Sequence, residues 1–324
     1  MTRRISVHVC ALLIGVQLCP SRVVTAQVFR TTRDVVRVDV LVTEGNRPVA
    51  GLTAADFEIL DNGMAQTVDQ VSIEEVPFSA LLALDVSESM AGAPLNDLKA
   101  AADSAVGALR ATDRAAIMTF ADQVREAAGW LPSGPALTSA IDHLRAIGST
   151  ALFDAAFAAL TLRDPEPGRR ALVLFFSDGD DTASWLPGAA ALDRAGRTDA
   201  VVYTVSLGAD RDRAARDRRT GSAMAGPGVA RLALRSGITL SPNAPIVDPS
   251  PFLPELAQRT GGESITVASS NKLRETFERI VREFGSRYLL TYTPRDVNTP
   301  GWHRVEVKVK APRLSVKARR GYTR

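Results

Sequence analysis

Residues 81–90 read LLALDVSESM, an apolar run that ends in Asp85, Ser87 and Ser89. A short, continuously apolar run is typical of a strand that is buried on both faces of a parallel sheet. Open α/β sheets bind ligands in the crevice beyond the carboxyl ends of such strands. One carboxylate and two hydroxyls at that place are hard oxygen ligands of the kind that Mg²⁺ prefers. The stretch therefore predicts half of a magnesium site, and the other ligands must come from elsewhere in the chain.

The region 78–285 alternates short apolar runs with segments of helical periodicity. The predicted strands cover 80–84, 115–120, 171–176, 201–207 and 264–267, and the predicted helices cover 94–110, 135–146, 151–162, 187–195, 251–260 and 271–284. This alternation predicts βαβ units and a doubly wound, mainly parallel sheet of the Rossmann-like α/β class. Segment 210–250, rich in Arg, Gly and Pro, fits neither class and is predicted to be a long exposed insertion.

The two flanks of this region, 27–77 and 286–324, show the period-two alternation of half-buried strands. The predicted strands cover 35–42, 57–60, 67–73, 288–293, 305–310 and 314–318. Asn62-Gly63 between two of these runs is a strong hairpin signal. We predict that the flanks pair into one small antiparallel β module, because chain ends that lie close together tolerate a domain insertion. Two separate β units would give the same sequence pattern.

Residues 1–26 have the features of a secretory signal peptide. A basic start is followed by an apolar stretch over residues 5–18 and by small residues that end at Ala26. The stretch is shorter than the ~20 residues of a membrane span, so we predict an exported protein, periplasmic or secreted, with no transmembrane segment. Cys10 and Cys19 are the only cysteines and both lie in this leader, which excludes disulfides from the mature chain. Lipidation at Cys19 is disfavoured by Leu18, where a lipoprotein has a small residue.

The formal net charge of the 324-residue chain is only +3, but the C-terminus is strongly basic. Residues 302–324 contain eight Lys or Arg residues against the single acid Glu306. Such a face predicts contact with an anionic surface, although alternating basic residues on a strand also form an ordinary solvated face. Nucleic acid is not an expected partner of an exported chain.

Two further loops supply oxygen ligands for the predicted metal site. Thr150 lies in a Gly-Ser-Thr turn directly before an amphipathic helix, and Asp178 follows the apolar run 173–176. Because the carboxyl ends of parallel strands share one edge of a sheet, these loops can converge with the Asp85 loop.

In this order and context, the five oxygen-bearing residues resemble the metal-ion-dependent adhesion site (MIDAS) of a von Willebrand factor type A (VWA) domain. They are Asp85, Ser87, Ser89, Thr150 and Asp178. The resemblance implies that the two serines bind a metal directly, that the two aspartates bind it directly or through water, and that the threonine joins when the site is engaged. It also implies a protein partner whose Asp or Glu completes the octahedron around Mg²⁺, with Mn²⁺ or Ca²⁺ as alternatives.

The flanks carry a narrower resemblance. The segments 47–57, 61–63, 288–294 and 319–322 resemble the exported bacterial family called von Willebrand factor A related, which is abundant in Acidobacteria. Together with the central region, this resemblance spans nearly the whole chain after the leader. The insertion 210–250 is not part of that pattern.

Three acidic residues beside the motif are candidates for a partner-binding rim. They are Glu88, Asp180 and Asp181. Each also has a simpler interpretation as a solvated acidic residue. Asp154, in the first turn of its helix, is expected to cap or buttress that helix.

Other functions fit the sequence less well. Asp-x-Ser-x-Ser alone also fits a helix N-cap, and Asp85 with Asp178 near Mg²⁺ would suit metal-assisted phosphoester hydrolysis. His143 and His303, the histidines outside the leader, lie far from any nucleophile motif, so no catalytic residue and no enzyme is predicted. A structural role in assembling an envelope complex, with an incidental metal, remains an alternative to adhesion.

Overall fold

The structure is a computed structural model that describes residues 35–45, 47–73, 76–178, 180–207, 252–297 and 299–324. The predicted signal peptide and the predicted insertion 210–250 lie outside the described residues. In the described part, the strands, numbered in chain order, are β1 Val36–Glu44, β2 Arg47–Pro48, β3 Phe57–Asp61, β4 Met64–Gln66, β5 Gln70–Ser72, β6 Phe78–Asp85, β7 Arg114–Phe120, β8 Val124–Pro132, β9 Arg170–Phe176, β10 Val201–Leu207, β11 Ser264–Val267, β12 Tyr288–Tyr292, β13 Trp302–Val309, β14 Ser315–Lys317 and β15 Gly321–Thr323. The described α-helices are α1 Ala93–Gly107, α2 Pro135–Asp142, α3 Leu152–Thr161, α4 Gly188–Gly196, α5 Phe252–Thr260 and α6 Leu273–Gly285.

The central sheet has six strands in the order β11-β10-β9-β6-β7-β8. All neighbouring pairs are parallel except β7 with β8, which is antiparallel. The middle strand β6 is buried along its whole length, as its apolar sequence predicts. Residues of α1, α2 and α6 pack on one face of the sheet, and residues of α3, α4 and α5 pack on the other. The predicted α/β class with a doubly wound, mainly parallel sheet is confirmed.

Two local predictions in this region are wrong. Strand β8 was not predicted, because it is an edge strand with a mixed, largely half-buried pattern that includes Arg125 and Glu126. Helix α2 ends at Asp142 and not at residue 146. The chain leaves the helix there so that the Ile147 N–H can donate a 2.8 Å hydrogen bond to the carbonyl of Val86, in the loop after β6.

The flanking strands form two antiparallel sheets. One has the order β14-β1-β12-β5 with β2 beside β1, and the other has the order β15-β13-β3-β4. Strands from before the α/β region pair with strands from after it, since β1 pairs with β12 and β3 pairs with β13. A shared core holds the two sheets together, and it includes Val38, Ile59, Tyr288 and Tyr292.

A buried ion pair joins this β module to the α/β sheet. Arg170, at the start of β9, pairs with Asp39 of β1, and both side chains are almost completely buried. The Arg170 guanidinium also donates a 3.2 Å hydrogen bond to the carbonyl of Phe284 and lies 4.5 Å from the centre of that ring. The contact lies at the amino end of β9, so the β module packs at the edge of the sheet opposite to the one where β6 and β9 end.

Candidate metal centre

The first polar residues of the candidate site lie at the ends of the two central strands. β6 and β9 are parallel neighbours in a register that pairs Leu84 with Phe176. Asp85 and Ser177 therefore leave the sheet side by side, and Asp178 follows. All three are buried, with 0%, 0% and 6% of their surfaces exposed.

Hydrogen bonds fix the loop after β6. Asp85 Oδ1 accepts the Ser87 N–H at 2.9 Å, and Asp85 Oδ2 accepts the Ser177 hydroxyl at 2.7 Å. The Oγ atoms of Ser87 and Ser89 lie 3.1 Å apart. The N-cap residue of α1 is Gly92, and Ser87 makes no side-chain cap to the short 3-10 helix Glu88–Met90. Ser87 thus stands at the N-cap position of that 3-10 helix without the side-chain hydrogen bond that an N-cap residue makes.

The loop that carries Thr150 is bonded to both the Asp85 loop and the loop that follows Asp178. The Thr150 N–H donates to Thr182 Oγ1 at 2.9 Å, and the Thr150 carbonyl accepts the N–H groups of Thr182 and Ala183 at 2.8 and 3.1 Å. In the same loop, the carbonyl of Gly148 accepts a 2.9 Å hydrogen bond from the Glu88 N–H, which belongs to the Asp85 loop. The loops that carry Asp85, Thr150 and Asp178 are thus held together by backbone hydrogen bonds.

Gly148 is required at its position for two reasons. Its φ of +77° lies in the left-handed region that favours glycine. A Cβ atom there would also lie 2.0 Å from Asp122 Oδ1, far inside van der Waals contact. The tight turn two residues before Thr150 therefore depends on the absence of a side chain.

The electrostatics of the site are those of a buried acid pair. Burial and, after it, the negative charge of Asp178 together raise the pKa of Asp85 to about 6, although hydrogen bonds from Ser87 and Ser177 act in the opposite direction. No Lys, Arg or His forms a salt bridge with Asp85 among the residues that the structure describes. A divalent cation bound beside Asp85 would favour the ionised form of this carboxylate.

The donor set fits a hard divalent cation. All five predicted ligands offer oxygen, two as carboxylates and three as hydroxyls. The 3.1 Å between Ser87 Oγ and Ser89 Oγ matches the ~3 Å between neighbouring ligands of an octahedron with ~2.1 Å bonds. In the described part of the chain, no cluster of three or more His, Cys, Asp or Glu side chains suits a metal. A thiolate, imidazole or carboxylate-rich site is thus absent there, and the role of the five residues as ligands stays a prediction.

The predicted rim residues differ in their surroundings. Glu88 is exposed, and Asp180 is half-buried. Asp181 Oδ1 accepts the Leu152 N–H at 2.9 Å, so this carboxylate caps the amino end of α3. Asp154 buttresses the chain after Asp181, since its carboxylate accepts the N–H groups of residues 185 and 186 at 3.0 and 2.8 Å.

Two residues of the site were not predicted from the sequence. Ser177 binds Asp85, and Thr182 binds Thr150, each through its hydroxyl. The one available signal was position, because Ser177 stands between a buried strand and Asp178. Neither bond can be read from sequence, since the partners lie 92 and 32 residues apart.

The histidines and the basic C-terminus lie elsewhere. His143 is exposed and its Nδ1 donates a 2.6 Å hydrogen bond to the carbonyl of Ser139, and His303 is buried against Asp61 at 2.9 Å. Part of the basic C-terminal set is used within the fold, since Arg319 is buried and Lys317 pairs with Glu263 at 2.5 Å. Contact of the remaining cations with an anionic surface stays a prediction.

Comparison with known families identifies the domain. Residues 80–180 match the von Willebrand factor type A domain. The matched VWA segment runs from β6 to just beyond Asp178, so it includes all five predicted ligands. The resemblance to a VWA domain is confirmed, while the narrower resemblance to the exported bacterial family stays a prediction.

Solved structures with a similar fold include other VWA proteins. A von Willebrand factor type A protein from Catenulispora acidiphila aligns at 13% identity and a TM-score of 0.49, over 91% of this chain and 75% of that one. BatB from Bacteroides thetaiotaomicron aligns at 14% identity and 0.45, over 64% and 98% of the two chains. Proximal thread matrix protein 1 from the mussel byssus, solved with a zinc-occupied MIDAS motif, aligns at 17% and 0.46, over 69% and 49%.

A search of curated proteins gave no match. Within the described residues, no helix combines the length and the apolar character needed to cross a membrane.

Proposed function

We propose that this protein is an exported binding module that uses a divalent cation, held in its VWA domain, to bind an acidic side chain of a protein partner. The cation is held by Asp85, Ser87, Ser89, Thr150 and Asp178. The ion that binds there, in the cell envelope or outside the cell, is Mg²⁺. Glu88 and Asp180 lie at the rim that the partner approaches.

The observation that carries this proposal is the buried pair of Asp85 and Asp178. Two buried carboxylates whose negative charges repel each other are costly to keep ionised at the same time in a protein interior. Burial and the neighbouring charge already raise the pKa of Asp85 to about 6. Two hydroxyls 3.1 Å apart stand in the same loop as Asp85. This combination has no evident use in packing, and it supports a site for a cation.

The carboxylate and hydroxyl ligands have different roles because they differ in charge. The two carboxylates balance the two charges of the ion, and the hydroxyls add neutral ligands, so no excess of negative charge collects at the site. Ser177 and Thr182 act on the ligands and not on the ion, since each holds one ligand residue by a hydrogen bond. The bound ion supplies an electrophilic position for an incoming carboxylate. These residues include no general base positioned for hydrolysis, which favours binding over turnover.

Calorimetric titration of Mg²⁺, Mn²⁺, Ca²⁺ and Zn²⁺ into the metal-free protein tests the proposal directly. Zn²⁺ is included because the mussel protein holds it. We expect saturable binding of at least one ion by the wild type and a loss of at least tenfold in affinity for Asp85→Ala. Asp164→Ala is the matched control, because Asp164 is a partly buried carboxylate at the amino end of the sheet that binds Ser79 and Arg114. Equal heats for the wild type and Asp85→Ala would contradict the metal site.

A pull-down from envelope extracts tests the partner. We expect capture that is abolished by chelator and by Asp85→Ala. Capture that is unaffected by both would instead favour structural assembly with an incidental metal.

A further inference from the structure

Two large apolar side chains stand in the loops around the candidate metal centre. In the described part of the chain, Trp185 and Ile147 are the most exposed of the large hydrophobic residues, at 93% and 67%. Ile147 lies three residues before Thr150, and Trp185 follows Asp178 in the loop that leads to α4. Both residues thus expose a large apolar side chain in loops that carry predicted ligands, where exposed apolar surface is suited to contact a partner. We call Trp185 and Ile147 the apolar rim.

The backbone beneath Trp185 is held firmly. Its N–H donates to Asp154 Oδ2 at 3.0 Å, and the N–H of Leu186 donates to Asp154 Oδ1 at 2.8 Å. Ser184 Oγ accepts the N–H groups of Phe153 and Asp154 at 2.9 and 3.1 Å. The indole is therefore presented to solvent from an ordered loop. An indole has only two side-chain torsions to order, so it loses little conformational entropy on binding, and tryptophan often dominates the energy of an interface.

Ile147 lies in the Thr150 loop, where that loop meets the Asp85 loop. Its N–H donates to the carbonyl of Val86 at 2.8 Å, which fixes it beside the Asp85 loop. Trp185 is tied to Asp154, about one helical turn beyond Thr150. The apolar rim thus comprises Ile147, in the Thr150 loop where its backbone is bonded to the Asp85 loop, and Trp185, in the loop that follows Asp178.

We infer that the partner is an extended protein segment in which the acidic residue is flanked by apolar side chains. This inference rests on the proposed function, because the carboxylate must reach the cation for its neighbours to meet Trp185 and Ile147. Successive residues of an extended segment advance by ~3.3 Å, so side chains within two positions of the acid reach ~7 Å to either side. The cation binds the acidic residue of the segment, and the apolar rim contacts the apolar residues on either side of that acid.

Selection from a random peptide library tests this inference. Peptides are bound to the purified protein in Mg²⁺ and eluted with EDTA. We expect the eluted pool to carry Asp or Glu with a Leu, Ile, Phe, Trp or Met within two positions. The Trp185→Ser, Ile147→Ser double variant should keep the acid, lose the apolar neighbours and bind the selected peptides at least tenfold more weakly. Trp302→Ser is the matched control, because Trp302 is a half-exposed tryptophan on β13, and it should change nothing.

The outcomes separate the two proposals. Magnesium titration of the double variant should match the wild type, which shows that the site is intact. Acidic peptides without apolar neighbours, or an apolar preference that survives in the double variant, would overturn the apolar rim and leave the proposed function standing. A wild-type pool with no EDTA-eluted acidic peptides would contradict both.

Discussion

At the scale of single residues, Asp85 makes the stability of the metal-free protein depend on pH. Burial and Asp178 raise its pKa from 3.8 to about 6, so the folded state holds the proton more tightly than the unfolded state does. The stabilisation that Asp85 contributes is complete below pH ~4 and disappears as pH rises through ~6, a change of about 3 kcal/mol. Mg²⁺ requires the ionised form, so it should raise the melting temperature more at pH 7.5 than at pH 5.

Melting temperatures in EDTA and in Mg²⁺ from pH 4.5 to 8 test this prediction. Asp85→Asn is the control, because the amide has the same shape and cannot titrate. We expect the wild type in EDTA to lose stability relative to Asp85→Asn as pH rises through 6. Parallel pH profiles of the two proteins would show that Asp85 ionises without cost, and the account of its burial would be wrong.

At the scale of elements, the loops around the site should depend on Thr182. Thr182→Val keeps the shape of the side chain but removes the acceptor of the Thr150 N–H. An unsatisfied N–H costs about 1–3 kcal/mol, and loss of a residue that positions a ligand weakens metal binding by about tenfold or more. Thr161→Val, at the exposed far end of α3, should leave magnesium affinity unchanged in the same calorimetric titration. Equal affinities for both variants would mean that Thr150 is not positioned by Thr182.

The elements also show what the sequence could predict. Strand β10 was predicted with its observed ends and β6 and β9 to within two residues, because strands buried on both faces are continuously apolar. The edge strand β8 carries exposed charged residues beside half-buried ones, and it was not predicted. Four of the five predicted oxygen ligands lie at or just after the ends of β6 and β9, which share one sheet edge, whereas Thr150 lies in the loop before α3. The roles of Ser177 and Thr182 were not predicted, because they depend on hydrogen bonds between loops that are distant in sequence.

At the scale of the whole molecule, a second buried acid joins strands from both ends of the chain. Asp61 on β3 accepts hydrogen bonds from the hydroxyls of Tyr292 and Tyr322, both at 2.9 Å, and it contacts His303 Nδ1 at the same distance. These partners lie on β12, β15 and β13, so one carboxylate links the two antiparallel sheets. The sequence shows the period-two strands but not which of them pair, because pairing between residues more than 200 positions apart leaves no local pattern.

The buried pair of Asp39 and Arg170 should make the β module and the VWA domain unfold together. Removing one partner leaves an uncompensated buried charge, so Asp39→Ala and Arg170→Met should each lower the free energy of unfolding by about 3–5 kcal/mol. The double variant should lose clearly less than the two single losses combined, because neither charge is then left alone. Urea unfolding followed by circular dichroism measures all four proteins, and magnesium affinity is the control, since the pair lies at the edge of the sheet away from Asp85. Additive losses, or separate transitions in the wild type, would show instead that the module and the domain are held only by their own cores.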